Sequence, residues 1–341
     1  MTVRVGVINV TGFAGMEAAR LLWNHPAAHL SAATGRSLAG KRLGDAFPHL
    51  ACYGDMTITA EIEDDVDIVF SALPTGASAE ACLPFIRAGI PVVDIAADFR
   101  LRDADAYAEW FGHPHIAPEL LPSAVYGLPE LNRERIVAAK LVANPGCYPA
   151  AAILALAPAV AAGLTGPAIV VDAKSGVSGA GRGTGGGYSY ADVNEDVSAY
   201  KVASHNHQPE IAQELAALAE APPPRVTFVP HLVPMTRGIH ATCYAPLTRA
   251  ASRADLLGIY RDFYRGAPFT RVVDAPPHTK HTLGNNLCLV SPAIDERNGM
   301  LIAIGVLDNL VKGAAGQAIE NMNLMMGLPQ EAGLDLPAVY P

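Results

Sequence analysis

Through its first half the chain alternates short, unbroken apolar runs with stretches of helical periodicity. "VRVGVINV" (3–10) is β-branched and apolar on both faces, the pattern of a strand covered on both sides. A helical pattern from Ala14 to Asn24 follows and stops at His25-Pro26, where the proline disfavours helix in the residue before it. "HLSAAT" (29–34), "VDIVFSALP" (66–74), "IPVVDIAAD" (90–98) and "KLVANPG" (140–146) predict further buried strands, with a helix from Ser78 to Ala88 among them. Such alternation predicts an α/β fold, a Rossmann-like doubly wound parallel sheet. Beyond residue 147 the rhythm changes. After an alanine-rich helix, "AIVVDAK", "RVTFVPHLVPM", "GIHATCYAPL", "LCLVSPAI" and "MLIAIGVLDN" form longer strands with fewer helices between them. These predict a second, α+β domain with a largely antiparallel sheet. Its helices are expected over 209–220 and 254–264, and a last helix over 313–326.

The length, 341 residues, suits two domains. Apolar residues make up 50% and charged residues 17%, a globular composition rather than a disordered one. The net charge of −9, with no run of Lys and Arg, argues against a nucleic-acid partner, so an anionic substrate would need a local cluster of arginines. The five cysteines lie far apart without a CxxC pair, which speaks against disulfides or zinc and for a reducing compartment. No charged segment followed by an apolar one precedes the first strand. The longest apolar stretch, Ala150 to Leu164, is too short for a membrane and contains Pro158. A cytoplasmic protein without a membrane partner is expected.

Two turns carry candidate chemistry. In "INVTGFAGMEAARLL" the first strand opens into the first helix through Thr11, Gly12, Phe13, Ala14 and Gly15, with Asn9 where a first glycine would stand. Such a turn presents backbone N–H groups and a helix N-terminus to a pyrophosphate; the same residues also fit an ordinary strand-to-helix turn. At the end of the second strand, "ATGRSLAGK" has no acidic residue for a ribose 2′-hydroxyl. Thr34, Arg36, Ser37 and Lys41 suit a 2′-phosphate instead, favouring NADP(H) over NAD(H), unless this is simply a solvated loop.

The second turn, Asn144-Pro145-Gly146, cannot continue a helix, and Cys147 follows it at the mouth of one. A thiol there meets the helix dipole and free N–H groups that can hold an oxyanion, which makes Cys147 a candidate nucleophile; a buried structural cysteine is the alternative. "SHNHQPEIAQEL" places His205 and His207 just before a helix expected to start at Pro209. Two histidines without a third ligand nearby do not make a metal site. His207 is the better acid–base candidate, with Glu210 able to orient its ring, and His205 suits a helix cap. Ser175, Ser178 and Arg182 in "SGVSGAGRG", and His231 and Arg237 in "PHLVPMTRG", are candidate anion contacts. The glycine-dense segment 176–190 is long enough for a mobile functional loop.

With these pieces together, the chain resembles the N-acetyl-gamma-glutamyl-phosphate reductases, the arginine-biosynthesis branch of the aspartate-semialdehyde dehydrogenase superfamily. The resemblance rests on "TGFAG", "ALPTG", "DIAADFRL", "VYGLPEL", "NPGCYP", "KSGVSGAGR", "HNHQPEI", "PHLVPMTRGI" and "DNLVKGAAGQAIENMN", spread over nearly the whole length. It implies an NADP-binding Rossmann-like domain over 1–146, a catalytic and dimerising domain over 147–308, and a segment 309–341 that returns to the first. It implies a homodimer or homotetramer acting on a small anionic acyl phosphate. Residue by residue, it implies Cys147 as nucleophile, His207 as base, and Ser178, Arg182 and Arg237 as anion-binding residues; Glu210 beside His207, and Asn144 and His205 near the substrate, complete the expected site. Its nicotinamide-side segment falls on Asn309 to Gln317, which includes Gly313, and Pro74, Ser178 and Gly179 are further expected on the cofactor side. Asn9 in place of glycine and Asn206 in place of arginine depart from the family pattern. A sister enzyme acting on carrier-linked aminoadipyl phosphate, an aspartyl-phosphate reductase, a silent NADPH-binding sensor and a cysteine hydrolase are the alternatives.

Overall fold

Six short strands pair in parallel, and most of their side chains are buried on both faces, as the unbroken apolar runs require. The structure, a computed structural model, describes residues 2–63, 65–182, 188–220 and 222–340. It divides into two units. The first holds Met1–Tyr107, Pro114–Gly146 and Ala314–Leu336. Its principal elements are β1 (Val3–Ile8), α1 (Phe13–Trp23), β2 (Ala28–Ala33), β3 (Ile68–Ser71), α2 (Ser78–Arg87), β4 (Val92–Asp94), β5 (Val125–Tyr126), α3 (Pro129–Val137) and β6 (Leu141–Ala143). The sheet order is β2-β1-β3-β4-β6-β5, parallel at every pairing. The order turns back on itself at β1, whose neighbours are β2 and β3. In such sheets ligands bind at the carboxyl ends of the strands beside that switch.

The second unit comprises Ala108–His113, Cys147–Gly313 and Pro337–Pro341. It contains α4 (Cys147–Ala161), β7 (Ala168–Ser175), β8 (Ser198–Ala199), α5 (His207–Ala216), β9 (Arg225–Leu232), β10 (Ile239–Pro246), α6 (Arg253–Phe263), β11 (Thr270–Val272), β12 (Cys288–Asp295) and β13 (Met300–Leu307). The sheet order is β11-β12-β13-β10-β7-β9-β8; β7–β9 and β11–β12 are parallel and the other four pairings antiparallel. One face alternates into the core, against α4, α5 and α6.

Helix α4 is apolar all round and buried from Tyr148 to Val160, so it forms the centre of this unit rather than its surface. Gly305 on β13 makes the approach possible: a Cβ there would lie 2.2 Å from the Ala151 carbonyl. Pro158 removes the N–H that would have bonded to Leu154, and the Tyr264 hydroxyl donates to that freed carbonyl at 2.5 Å. The Tyr260 hydroxyl donates to the neighbouring Ala155 carbonyl at 2.7 Å.

The last principal helix, α7 (Gly316–Met325), belongs to the first unit and packs against α1 and α3. Its inner face is polar. Asn321 Nδ2 donates to the Gly127 carbonyl (2.9 Å) and to Asn144 Oδ1 (3.0 Å), and Glu320 accepts from Gln317 and Gln330.

Several expected boundaries differ, the end of α5 among them at Ala216 rather than 220, and two of the starts have a physical reason. Helix α5 starts at His207 rather than Pro209, because proline is tolerated in a first turn whose N–H groups lack helical partners anyway. The segment expected as one helix from Gly313 opens instead with a π-turn, Val311–Ala315, before the α-helix begins at Gly316.

Candidate active site

In the first unit the glycine turn closes on itself through Asn9. This residue takes φ 63°, the left-handed region in which asparagine is among the better-tolerated side chains. Its Nδ2 donates to the Ala72 carbonyl just past β3 (2.8 Å), and its Oδ1 accepts from the Thr11 hydroxyl (2.8 Å). One side chain thus ties together the ends of β1 and β3 at the switch of strand order. Gly15 lets α1 lie on β1: a Cβ there would fall 2.3 Å from the Asn9 carbonyl oxygen and 2.8 Å from Val10 Cα. The helix has Gly12 at its N-cap, no capping side chain and no acidic residue in its first turn, through Phe13, Ala14 and Gly15. Its opening N–H groups are left for an anion, which suits a dinucleotide pyrophosphate.

The four residues considered for a 2′-phosphate separate. Thr34 is buried, and its Oγ1 accepts from the Asn9 N–H (3.2 Å). Arg36, Ser37 and Lys41 are exposed, while Arg42 is engaged with Asp45 and Asp55. Pro74 is exposed in the turn after β3.

That turn is gripped from below by two carboxylates the sequence reading passed over. The Asp98 carboxylate accepts from the Gly76 N–H (2.9 Å) and the Tyr107 hydroxyl (3.1 Å). Asp94, wholly buried at the end of β4, accepts from the Ser78 hydroxyl (2.5 Å) and the Ala96 N–H (3.1 Å). Burial first, and the neighbouring Asp98 second, push Asp94 up to about 7. Burial also raises Asp98. Asn144 is buried in this unit too. Its Nδ2 donates to the Ala314 carbonyl (3.0 Å), its Oδ1 accepts from Asn321, and its backbone carbonyl accepts from Arg100.

In the second unit Cys147 is the first residue of α4, a partly exposed thiol outside any disulfide. The π-turn runs directly against it: a Cβ on Gly313 would come within 2.7 Å of Cys147 Cβ. The next residue, Tyr148, links this helix mouth to the histidines. Its ring stands edge-on to His205 (6.0 Å between centroids), His207 (5.9 Å) and Phe228 (5.3 Å). Its hydroxyl donates to the His231 carbonyl and accepts from Tyr200. Burial raises the Tyr148 phenol above its ordinary range, keeping it neutral. His205 is buried, and its Nδ1 accepts from the N–H of His207, the first residue of α5 (3.1 Å), while Asn206 stands at the N-cap without a side-chain cap. In its neutral form the His205 proton therefore sits on Nε2. His207 opens α5, its ring 4.5 Å from that of His205, and Glu210 lies buried one turn along.

The anion-binding candidates meet in a frame of loops. After β7, the 176–180 turn runs beside residues 235–238: Gly176 N–H donates to Gly238, Val177 to Met235 and Ser178 to Thr236. A Cβ on Gly176 would lie 2.7 Å from the Arg237 nitrogen, so only glycine permits the approach. Asn309 joins the strips, its Oδ1 accepting from Gly238 N–H (2.7 Å) and its Nδ2 donating to Ser178 Oγ (2.9 Å). Gly179 lies beside Ser175 and Asn309. Arg237 donates to the buried Asp308 (3.3 Å). His231 lies elsewhere, its Nδ1 3.1 Å from Asp172 Oδ1 and on the half-exposed face of the sheet. Arg182 is exposed at the edge of 183–187, the part of the expected mobile loop that lies outside the described residues. Sequence reading missed Asp308 and Tyr148; the one signal was a polar Asp-Asn pair ending an otherwise apolar strand.

Comparison with known proteins bears on both units. The family described as semialdehyde dehydrogenase, NAD binding domain, matches residues 4–139, and that described as semialdehyde dehydrogenase, dimerisation domain, matches 147–309. A Dehalococcoides mccartyi protein named N-acetyl-gamma-glutamyl-phosphate reductase is 51% identical over 338 residues, 99% of each chain. One of the same name from Pelotomaculum thermopropionicum is 47% identical over the full length of both. Among solved structures, aspartate semialdehyde dehydrogenase II of Vibrio cholerae superposes with a TM-score of 0.74 over 96% of this chain and 99% of its own, at 17% identity. The Candida albicans aspartate semialdehyde dehydrogenase with NADP gives 0.70 at 18% identity, over 96% of this chain and 99% of its own. At such identities these two likenesses establish the shared fold.

Proposed function

The chain belongs to the N-acetyl-gamma-glutamyl-phosphate reductase family of semialdehyde dehydrogenases, and from that premise we propose that it reduces N-acetyl-L-glutamyl 5-phosphate to N-acetyl-L-glutamate 5-semialdehyde and phosphate, with NADPH, in arginine biosynthesis. One observation carries the reading: about half the residues are shared with reductases of that name along the entire chain, Cys147 and both histidines lying within the matched span. When bound, NADPH supplies the hydride that turns a thioester into an aldehyde.

This chain's residues do the rest. The Cys147 sulfur attacks the acyl phosphate, forming a thioester and releasing phosphate, with helix-end N–H groups of α4 facing the oxyanion. His207 holds and returns the proton, and Glu210 fixes its ring. Ser178, Arg182 and Arg237 bind the substrate's anionic groups. Asn144 acts by holding the turn before the nucleophile, and His205 by accepting from the first N–H of α5. Thr11 to Gly15 cradle the pyrophosphate, Arg36, Ser37 and Lys41 take the 2′-phosphate, and Pro74, Gly179, Asn309 and Gly313 border the cofactor.

The protein works in the cytoplasm as a homodimer or homotetramer. A second copy fits the open face of the seven-stranded sheet, where Val170, Tyr244 and Ile302 stand in one cross-strand row. The test is a steady-state assay with N-acetyl-glutamyl phosphate and aspartyl phosphate, each with NADPH and NADH. Oxidation of NADPH by the first substrate is expected; turnover confined to aspartyl phosphate would sink the reading.

A further inference from the structure

Asp308 is wholly buried, and its carboxylate serves two purposes at once. Oδ1 accepts from the N–H groups of Leu310 (2.8 Å) and Val311 (3.2 Å), at the entry to the π-turn that abuts Cys147. Oδ2 faces the other way, accepting from the Gly284 N–H (2.8 Å) and from Arg237 Nη1 (3.3 Å). Capping the turn needs a single acceptor, which a neutral asparagine would supply. A full carboxylate in a buried place is costly unless a partner charge offsets it. Here that partner is Arg237, whose side chain keeps one fifth of its surface exposed. A guanidinium is planar and binds anions through a fork of fixed direction, so turning it by a small angle weakens a bidentate grip.

We propose that Asp308 is a positioning residue for substrate binding: its Oδ2, braced by the Gly284 N–H, holds the Arg237 fork in the orientation that receives the substrate's anion. The inference rests on the functional reading above and adds a residue to it. Asp308 touches no reacting atom; it acts through Arg237.

Asparagine separates the two purposes. In Asp308→Asn an acceptor oxygen remains for Leu310 and Val311, while the amide NH2 replaces the oxygen that faced Gly284 and Arg237. Expected is a KM for N-acetyl-glutamyl phosphate raised at least about tenfold with kcat held within about threefold, the pattern of lost uniform binding. Arg237→Gln should raise KM similarly, and the double variant should be no worse than Arg237→Gln alone within about twofold, because one residue works through the other. A KM for Asp308→Asn within about twofold of wild type, or effects that multiply in the double variant, would overturn the proposal. If Asp308→Asn does not fold, Arg237→Lys decides. Lysine keeps the charge and loses the fork, so KM should again rise at least about tenfold, and a KM unchanged within about twofold would overturn the proposal. Wild-type protein without turnover of this substrate would bring down the functional reading and this inference with it; lost coupling in an active enzyme counts against Asp308 alone.

Discussion

The turn at residues 9–15 and the frame around Asp308 both follow the end of a strand, and they hold their polar groups by opposite means. In the first, the backbone does the presenting. Glycines let strand and helix touch, and one asparagine in a left-handed conformation closes the turn. In the second, buried side chains do it. Asp308 and Asn309 reach out to Ser178, Arg237, Gly238 and Gly284, residues scattered over more than a hundred positions. A backbone cradle tolerates no added atom, whereas a side-chain frame tolerates atoms but not altered charge.

The nucleophile gives the largest expected effect in either region. Cys147→Ser should lower NADPH-dependent reduction by at least about a thousandfold, since the thioester route is lost, while NADPH titration stays at wild-type affinity. A serine variant turning over normally would remove the thiol from the mechanism. Next comes the cradle: Gly15→Ala should destabilise the protein by about 1–3 kcal/mol in urea unfolding through overpacking, because the new methyl meets backbone rather than a movable side chain. NADPH affinity should fall with it; unchanged stability would mean that α1 does not lie as closely on β1.

The third effect depends on pH. The native pKa of Asp94 is raised to about 7 by burial, then by Asp98, so its protonated form is favoured in the folded state. Its stabilising contribution is therefore complete below the unfolded pKa near 4 and is lost as pH rises through about 7, with a slope approaching 1.4 kcal/mol per pH unit for one proton. In urea unfolding between pH 5 and pH 8, Asp94→Asn should flatten that slope; parallel curves for the two proteins would show that Asp94 does not carry it. The smallest effect is at Asn9. Glycine there relieves the left-handed strain and forfeits two side-chain hydrogen bonds, a net change of less than about 1 kcal/mol, whereas alanine loses both ways. A costly Asn9→Gly would mean that the bonds dominate the turn.

The same contrast explains what could be read from the sequence. Both sheets were legible, because an all-buried parallel strand and a half-buried antiparallel one leave different apolar patterns. The glycine turn was legible because its spacing is local. Pro209 misled the start of α5, since a first-turn proline looks like a boundary. The π-turn at 311–315 was invisible because its composition suits an α-helix, and only contact with Cys147 and the caps from Asp308 distinguish it. Asp308 itself was passed over because its partners sit some seventy positions before it and twenty-four before it, at Arg237 and Gly284. Asn144 looked like a substrate ligand beside the nucleophile, yet both ends of its amide are engaged by the segment 314–321.

That late segment has a consequence for how the molecule is made. Residues 314–336 leave the ribosome after 147–313, and until they arrive the residues before 147 lack the helix that supplies Asn321 to Gly127 and Asn144. Most of the second unit, 147–313, is one continuous stretch that can settle while synthesis is still under way. The usual vectorial order, N-terminal region first, does not hold here: the residues before 147 wait for 314–336, while the continuous stretch 147–313 is made between them.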